Sequence, residues 1–149
     1  MEINQEKINY YINRGYINTD DDVKFKYIVE ILRLFNVKVN GWMKGGYILN
    51  EKEGIMFSKA DNINWNDKVD DKYMYECCSS QIGKRIEKVN KYWGEKIIYI
   101  FRKENKEGYK FIGCFKQDTE KLEELFDKEI IDERPYKRVG TEINLKKFN

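Results

Sequence analysis

The stretch from Tyr73 to Lys116, YMYECCSSQIGKRIEKVNKYWGEKIIYIFRKENKEGYKFIGCFK, restricts the fold more than any other part of the chain. It reads as strand, polar turn, amphipathic helix, strand, hairpin, strand. Its anchor is Lys96 to Arg102, KIIYIFR, whose five consecutive apolar residues predict a central strand buried on both faces. The charged segment KENKEG turns the chain, and Tyr109 to Lys116 returns. Strand alternation puts Tyr109, Phe111, Gly113 and Phe115 on one face and Ile112 and Cys114 on the other. Cys114 is thus expected as a core cysteine. Tyr73 to Glu76 predicts a short strand with Tyr73 and Tyr75 on one face and Met74 on the other. Between these strands, Ser79 or Ser80 can cap a helix in which Ile82, Ile86, Val89 and Trp93 form one buried stripe. Lys84, Lys88 and Lys91 line another face, which is either simply solvated or in contact with phosphates.

The flanking segments fit around this block. Residues 2–14 carry Ile3, Ile8, Tyr11 and Ile12 in a loosely helical pattern that Gly15 ends. Val23 to Phe35 predicts a helix, capped at Thr19 or Asp20, with Tyr27, Ile28, Ile31, Leu32 and Phe35 at helical spacing. It packs on a sheet; few basic residues line its polar side, against a DNA-recognition helix. After Asn36 the period changes, and Val37 to Ile48 predicts two short strands with a turn or bulge at Gly45-Gly46. Glu51 to Gly54 is a turn and Ile55 to Ser58 a strand. Lys59 to Asp71 is a polar loop holding Trp65, which either binds something or anchors the loop. Asp118 or Thr119 caps a helix through Leu122, Leu125, Phe126 and Ile130. Arg134 to Val139 is a last extended segment, and Ile143 and Leu145 close the chain. Helices followed by a mainly antiparallel sheet that two helices interrupt define an α+β class. No repeat or linker divides the 149 residues, so one domain is expected, with a helical segment at 1–36 and an α+β core at 37–149.

Composition narrows the chemistry. The net charge is only +2, so any nucleic-acid contact must come from a local basic face. The chain has no His, which removes the commonest general base and the commonest metal ligand. Three Cys, two of them adjacent, make a poor disulfide framework and a poor zinc site, and suit a reducing cytoplasm. No apolar run is long enough to span a membrane. There is no Walker, dinucleotide or zinc-protease motif. Glu104-Asn105-Lys106 carries nuclease-like letters but sits in a hairpin turn, and Asp67, Asp70 and Asp71 form one acidic loop with no partner carboxylate. No catalytic residue, metal or cofactor is expected, and the pattern favours a binding module over an enzyme. One enzymatic reading survives, a nucleotide-processing activity with Cys77 or Cys78 activated by the adjoining helix start.

An ordered set of pieces then points to a family. Asn66-Asp67-x-x-Asp70-Asp71-x-Tyr73-x-Tyr75 is followed by a small-residue turn ending in Gln81-x-Gly83, a helix, KIIYIFR, a charged gap, GYKFIGCF and later RPYKRV. Over about residues 64–139 this resembles the SRA/PUA-like domains attached to HNH-type and other modification-dependent restriction enzymes. The chain departs from that pattern in the turn. Family glycines appear as Cys78 and Ser79 or Ser80, and the Asp after the last Gly is Lys84. No nuclease motif accompanies it.

The resemblance implies a curved sheet or partly closed PUA-like β-barrel with flanking helices. It implies a pocket that receives a modified or flipped base. Trp65, Asp67, Tyr73, Tyr75, Ser79, Ser80 and Gln81 would line that pocket, although core packing is an equal account of Tyr73 and Tyr75. Lys84, Lys88, Arg134, Lys137 and Arg138 would meet phosphates. The leading expectation is a nucleic-acid-binding domain, DNA favoured over RNA, from a restriction or defence context. The competing one is a protein-binding inhibitor or regulator of a nucleic-acid-directed defence complex, phage- or plasmid-borne, on the same fold.

Overall fold

The structure, a computed structural model, describes residues 1–38, 44–60, 67–77 and 90–149. Helix α1 (Gln5–Arg14) begins where the Asn4 side chain accepts from the Lys7 amide at 3.0 Å. It ends at Gly15, whose φ of 89° closes the helix in a left-handed turn. Strand β1 (Tyr16–Asn18) follows.

The long helix expected from Val23 to Phe35 is shorter. Only α2 (Ile28–Leu34) is helical. Phe25 instead bridges to Tyr109, exchanging backbone hydrogen bonds of 2.9 and 2.8 Å. That pairing satisfies the Phe25 backbone in extended form and buries its ring, which outweighs a weak helical propensity. Asp20 and Thr19 therefore cap nothing here. Asp21 accepts from the Asn18 amide and from Arg14, both at 2.9 Å. The start of α2 is held by Glu30, whose buried carboxylate accepts from the Tyr27 amide and, 26 residues away in sequence, from the Asn4 amide. One side chain thus ties the starts of α1 and α2 together.

The remaining elements are β2 (Gly46–Ile48), β3 (Glu53–Lys59), β4 (Lys68–Val69), β5 (Tyr73–Glu76), β6 (Ile97–Asn105), β7 (Gly108–Gln117), α3 (Thr119–Asp127), β8 (Arg134–Gly140), β9 (Glu142–Asn144) and a 3-10 turn at Lys146–Phe148. Among the described residues, seven strands form a sheet in the order β2-β3-β6-β7-β8-β5-β4. The sheet is open, because β2 and β4 stand at opposite ends, and antiparallel except for the parallel pair β3–β6. Strands β1 and β9 form a second, two-stranded sheet. The class is α+β, with a curved and unclosed sheet.

KIIYIFR forms the heart of β6, beside the middle of the sheet, and Ile98, Ile100 and Phe101 have no exposed surface. Its alternation separates two cores. Tyr99 and Phe101 pack with Phe111, Tyr109, Ile31, Leu32 and Phe35 under the helices. Ile98 and Ile100 pack on the other face with Met56, Met74, Trp93, Phe115 and Tyr136. The face assignment along β7 changes at Gly113. Its φ of 139° accompanies register shifts that place Cys114 in the first core with Phe111 and Phe115 in the second. A bulge inserts one residue, and one residue reverses every later side chain.

Three further expectations are adjusted. Of the two strands proposed across Val37 to Ile48, β2 is described and residues 39–43 lie outside the described set. Gly46 and Gly54 lie against Trp93; a Cβ at either would come within 2.7 and 2.6 Å of its indole. Trp93 is buried as expected, but in hydrogen-bonded turns over residues 91–95 rather than in a helix. Helix α3 is capped by Asp118, which accepts from the Lys121 amide at 3.0 Å. It stops at Asp127, and Ile130 turns back to donate to the Leu125 carbonyl at 2.8 Å.

Candidate functional site

Strands β3 and β6 run side by side, so Ser58 and Arg102 are register partners on one face. Asp67, just before β4, folds over them. The Ser58 hydroxyl donates to Asp67 Oδ2 at 2.6 Å and accepts from Arg102 Nη1 at 2.9 Å. Arg102 Nη2 donates to the Asp67 carbonyl at 3.1 Å, and its Nε donates to Glu104 at 2.7 Å. Asp67, Ser58 and Arg102 are 8, 2 and 7% exposed. Asp67 Oδ1 is buried and has no hydrogen-bond partner among the described residues. Burial pushes the Asp67 carboxyl above its ordinary range, only partly offset by the Ser58 hydroxyl, the Arg102 charge and the Cys77 backbone amide.

A second carboxylate stands nearby. Glu76 ends β5, opposite Arg134 of β8. Its Oε1 accepts from Arg134 Nη1 at 2.8 Å and from the Tyr136 hydroxyl at 3.0 Å. Burial raises the Glu76 pKa, and the negative charge of Asp67 adds to the rise. Both carboxylates line one cavity of about 680 Å³. Met56, Phe57, Tyr92, Trp93 and Tyr109 supply apolar and aromatic wall, while Lys44 and Lys59 line it from exposed positions. The space suits a small-molecule-sized group held between aromatic faces and a few fixed polar atoms.

The structure divides the expected base-binding set. Asp67 is in the cavity. Tyr73 and Tyr75 are not with it, because the pleat of β5 sends Met74 and Glu76 to the cavity side and the tyrosines to the other. There they stack on each other, with ring centroids 5.7 Å apart, beneath α3. Tyr73 donates to Asp118 at 3.1 Å, and Lys121 lies over its ring. Trp65, Ser79, Ser80 and Gln81 lie outside the described residues, as do Cys78, Lys84 and Lys88.

The expected phosphate set divides as well. Arg134 is held by Glu76. Arg138 donates to the backbone carbonyls of Asp71 and Ile112 and lies over the Phe115 ring at 5.1 Å. Lys137 is exposed, opposite Tyr73 on β5 and Lys116 on β7. Ser58, Glu76 and Arg102 escaped the sequence reading. Each sits in or beside an apolar strand, where a lone polar residue reads as a strand end. A signal was present in Arg102, whose position continues the inward alternation of Ile98 and Ile100.

Comparison with known proteins agrees with this architecture. The family profile of the SRA, or SET and RING associated, domain matches residues 10–145. The chain therefore belongs to the SRA family, whose members are DNA-binding domains that recognise modified bases. Among solved structures it is similar to the 5-hydroxymethylcytosine-specific restriction enzyme AbaSI, with a TM-score of 0.69 and 20% identity. That likeness, one of fold, covers 97% of this chain and 48% of the enzyme's, so the chain spans about half of that enzyme's length. No curated protein matches the chain. No helix among the described residues is long and apolar enough to cross a membrane.

Proposed function

We propose that the chain binds DNA and receives a modified cytosine, extruded from the duplex, in the cavity between Asp67 and Glu76. The observation that carries this reading is the buried Asp67 carboxylate, fixed through Oδ2 by Ser58 and with no hydrogen-bond partner for Oδ1 among the described residues, in the wall of an aromatic-lined cavity. A carboxylate is the natural acceptor for the exocyclic amine of cytosine. Tyr92, exposed, with Trp93 and Tyr109 behind it, supplies aromatic lining for a base taken out of its stack. Glu76, held through Oε1, adds a second acceptor that suits a hydroxylated substituent better than a plain methyl group. The likeness to a restriction enzyme that reads 5-hydroxymethylcytosine supports the same choice and a restriction or defence setting.

In this reading Trp65, two residues before Asp67, and Ser79, Ser80 and Gln81 complete the pocket, while Lys84, Lys88 and Lys137 contact phosphates. Arg134 and Arg138 position strands rather than DNA, and Tyr73 and Tyr75 are packing residues. Residues 1–36 are read as part of the same domain as the sheet, a reading that the burial of Ile8 and Ile17 in its core supports. The cysteine content fits a cytoplasmic setting. The alternative of a protein-binding inhibitor draws no support from either comparison.

The test is equilibrium binding to short duplexes carrying unmodified, 5-methyl- or 5-hydroxymethylcytosine at two salt concentrations. Asp67→Asn and Trp65→Ala are measured alongside. One well-made polar contact to a base is worth about 1–3 kcal/mol, so wild type should prefer a modified duplex by about tenfold or more. Asp67→Asn should weaken binding to the modified duplex by a similar factor. Binding indifferent to modification and to Asp67 would leave only surface phosphate contact and refute the reading.

A further inference from the structure

The parallel pairing of β3 with β6 places Lys59 directly opposite Lys103. Neighbouring strands are about 4.8 Å apart, and like charges directly opposite destabilise a sheet. Neither lysine forms an ion pair among the described residues. The acid next in sequence, Glu104, is occupied by Arg102. Lys59 lines two spaces at once, the Asp67 cavity and an adjoining depression of about 370 Å³ shared with Lys103, Glu104, Asn105 and Lys106. Lys103 Nζ lies 5.8 Å from the centroid of Tyr109, itself a wall of the cavity. Lys44 lines the cavity too, again with no ion pair among the described residues.

We propose that Lys59 and Lys103, with Lys44, form a phosphodiester-binding site beside the cavity, reached from it along Lys59, which lines both spaces. The proposal rests on the base-reading function. An extruded cytidine nucleotide carries an amine donor at one end and a phosphodiester anion at the other. The cavity lining carries complementary charges, the carboxylates of Asp67 and Glu76 and the ammonium groups of Lys44 and Lys59, which form no ion pair among the described residues. The anion supplies the counter-charge that the Lys59–Lys103 pair lacks, and it fixes the depth to which the base enters.

The measurement is the salt dependence of duplex binding by wild type and by the double variant Lys59→Gln/Lys103→Gln. Each phosphate contact contributes about 0.9 to the slope of log K against log salt. Loss of this one contact in the double variant should therefore lower the slope by about 0.9 and weaken binding to modified and unmodified duplexes alike, leaving their ratio unchanged. A urea midpoint no lower than wild type's shows that the loss is not unfolding, and Lys44→Gln alone should lower the slope by less than the double variant does. An unchanged slope in the double variant overturns the proposal even if modified bases remain preferred. Failure of the base-reading function shows itself separately, as no preference for a modified duplex in wild type.

Discussion

At the scale of single residues, Asp67 concentrates the unusual chemistry of this chain. A carboxyl group raised by burial takes up its proton in the folded state before the unfolded chain does. Folding stability that depends on Asp67 is therefore gained as pH falls from neutral through its raised pKa towards the ordinary carboxylate range. A non-titrating Asp67→Asn variant lacks that gain. Urea unfolding of both proteins at pH 7 and pH 5 should show the stability difference moving in favour of wild type at the lower pH. A difference that stays constant would show that Asp67 titrates normally. Asp67 was legible from its place in the Asn-Asp-x-x-Asp-Asp pattern, but its partners were not. A hydrogen bond between Ser58 and Asp67 spans nine residues and one between Ser58 and Arg102 spans 44, and no local period encodes either. Tyr73 and Tyr75 were placed on a common face correctly, yet which face meets the cavity depends on the neighbours of β5. Cys114 is the opposite case, a thiol that its apolar setting pushes up to about 11 and that sits in the core as its strand position predicts.

At the scale of elements, the β6–β7 hairpin was the most legible feature, because a five-residue apolar run and its alternating return have few other solutions. Its turn is built on Gly108, with a φ of 129°. A Cβ there would lie 2.4 Å from the Phe25 carbonyl oxygen. Gly108→Ala is expected to cost more than about 1 kcal/mol in urea unfolding. It should also loosen the Phe25–Tyr109 bridge, seen as faster hydrogen exchange at those two amides. Unchanged stability would mean that the turn relaxes without strain. The elements that were misjudged are those decided by such distant contacts. Val23 to Tyr27 has helical spacing, but Tyr109 supplies a backbone partner that a local pattern cannot announce. The bulge at Gly113 was equally hidden, since glycine in a strand signals an irregularity without saying which way the faces turn.

At the scale of the whole molecule, β9 holds the two ends of the chain together. Ile143 pairs with Ile17 of β1, and Ile143 and Leu145 are fully buried. Each such side chain contributes about 1.5–3 kcal/mol, against a total stability of about 5–15 kcal/mol for an ordinary domain. Truncation after Gly140 should therefore remove a large part of the stability, with loss of cooperative thermal unfolding as the readout; an unaltered transition would show that β1 and β9 are dispensable. The antiparallel α+β class followed from strand order and spacing, whereas the parallel β3–β6 pair did not, since strands 37 residues apart in sequence leave no local trace of their pairing. That pair carries a consequence for how recognition can change. Between Lys59 and Ile97 the chain makes one excursion, to the far edge of the sheet, where β4 and β5 pair beside β8, and back to β6 next to β3. Asp67, Glu76, Tyr92 and Trp93 all lie on it. The excursion works as a cassette: a new reading specificity could be installed by exchanging this segment alone, while the β6–β7 hairpin and the helices that support it keep their sequence.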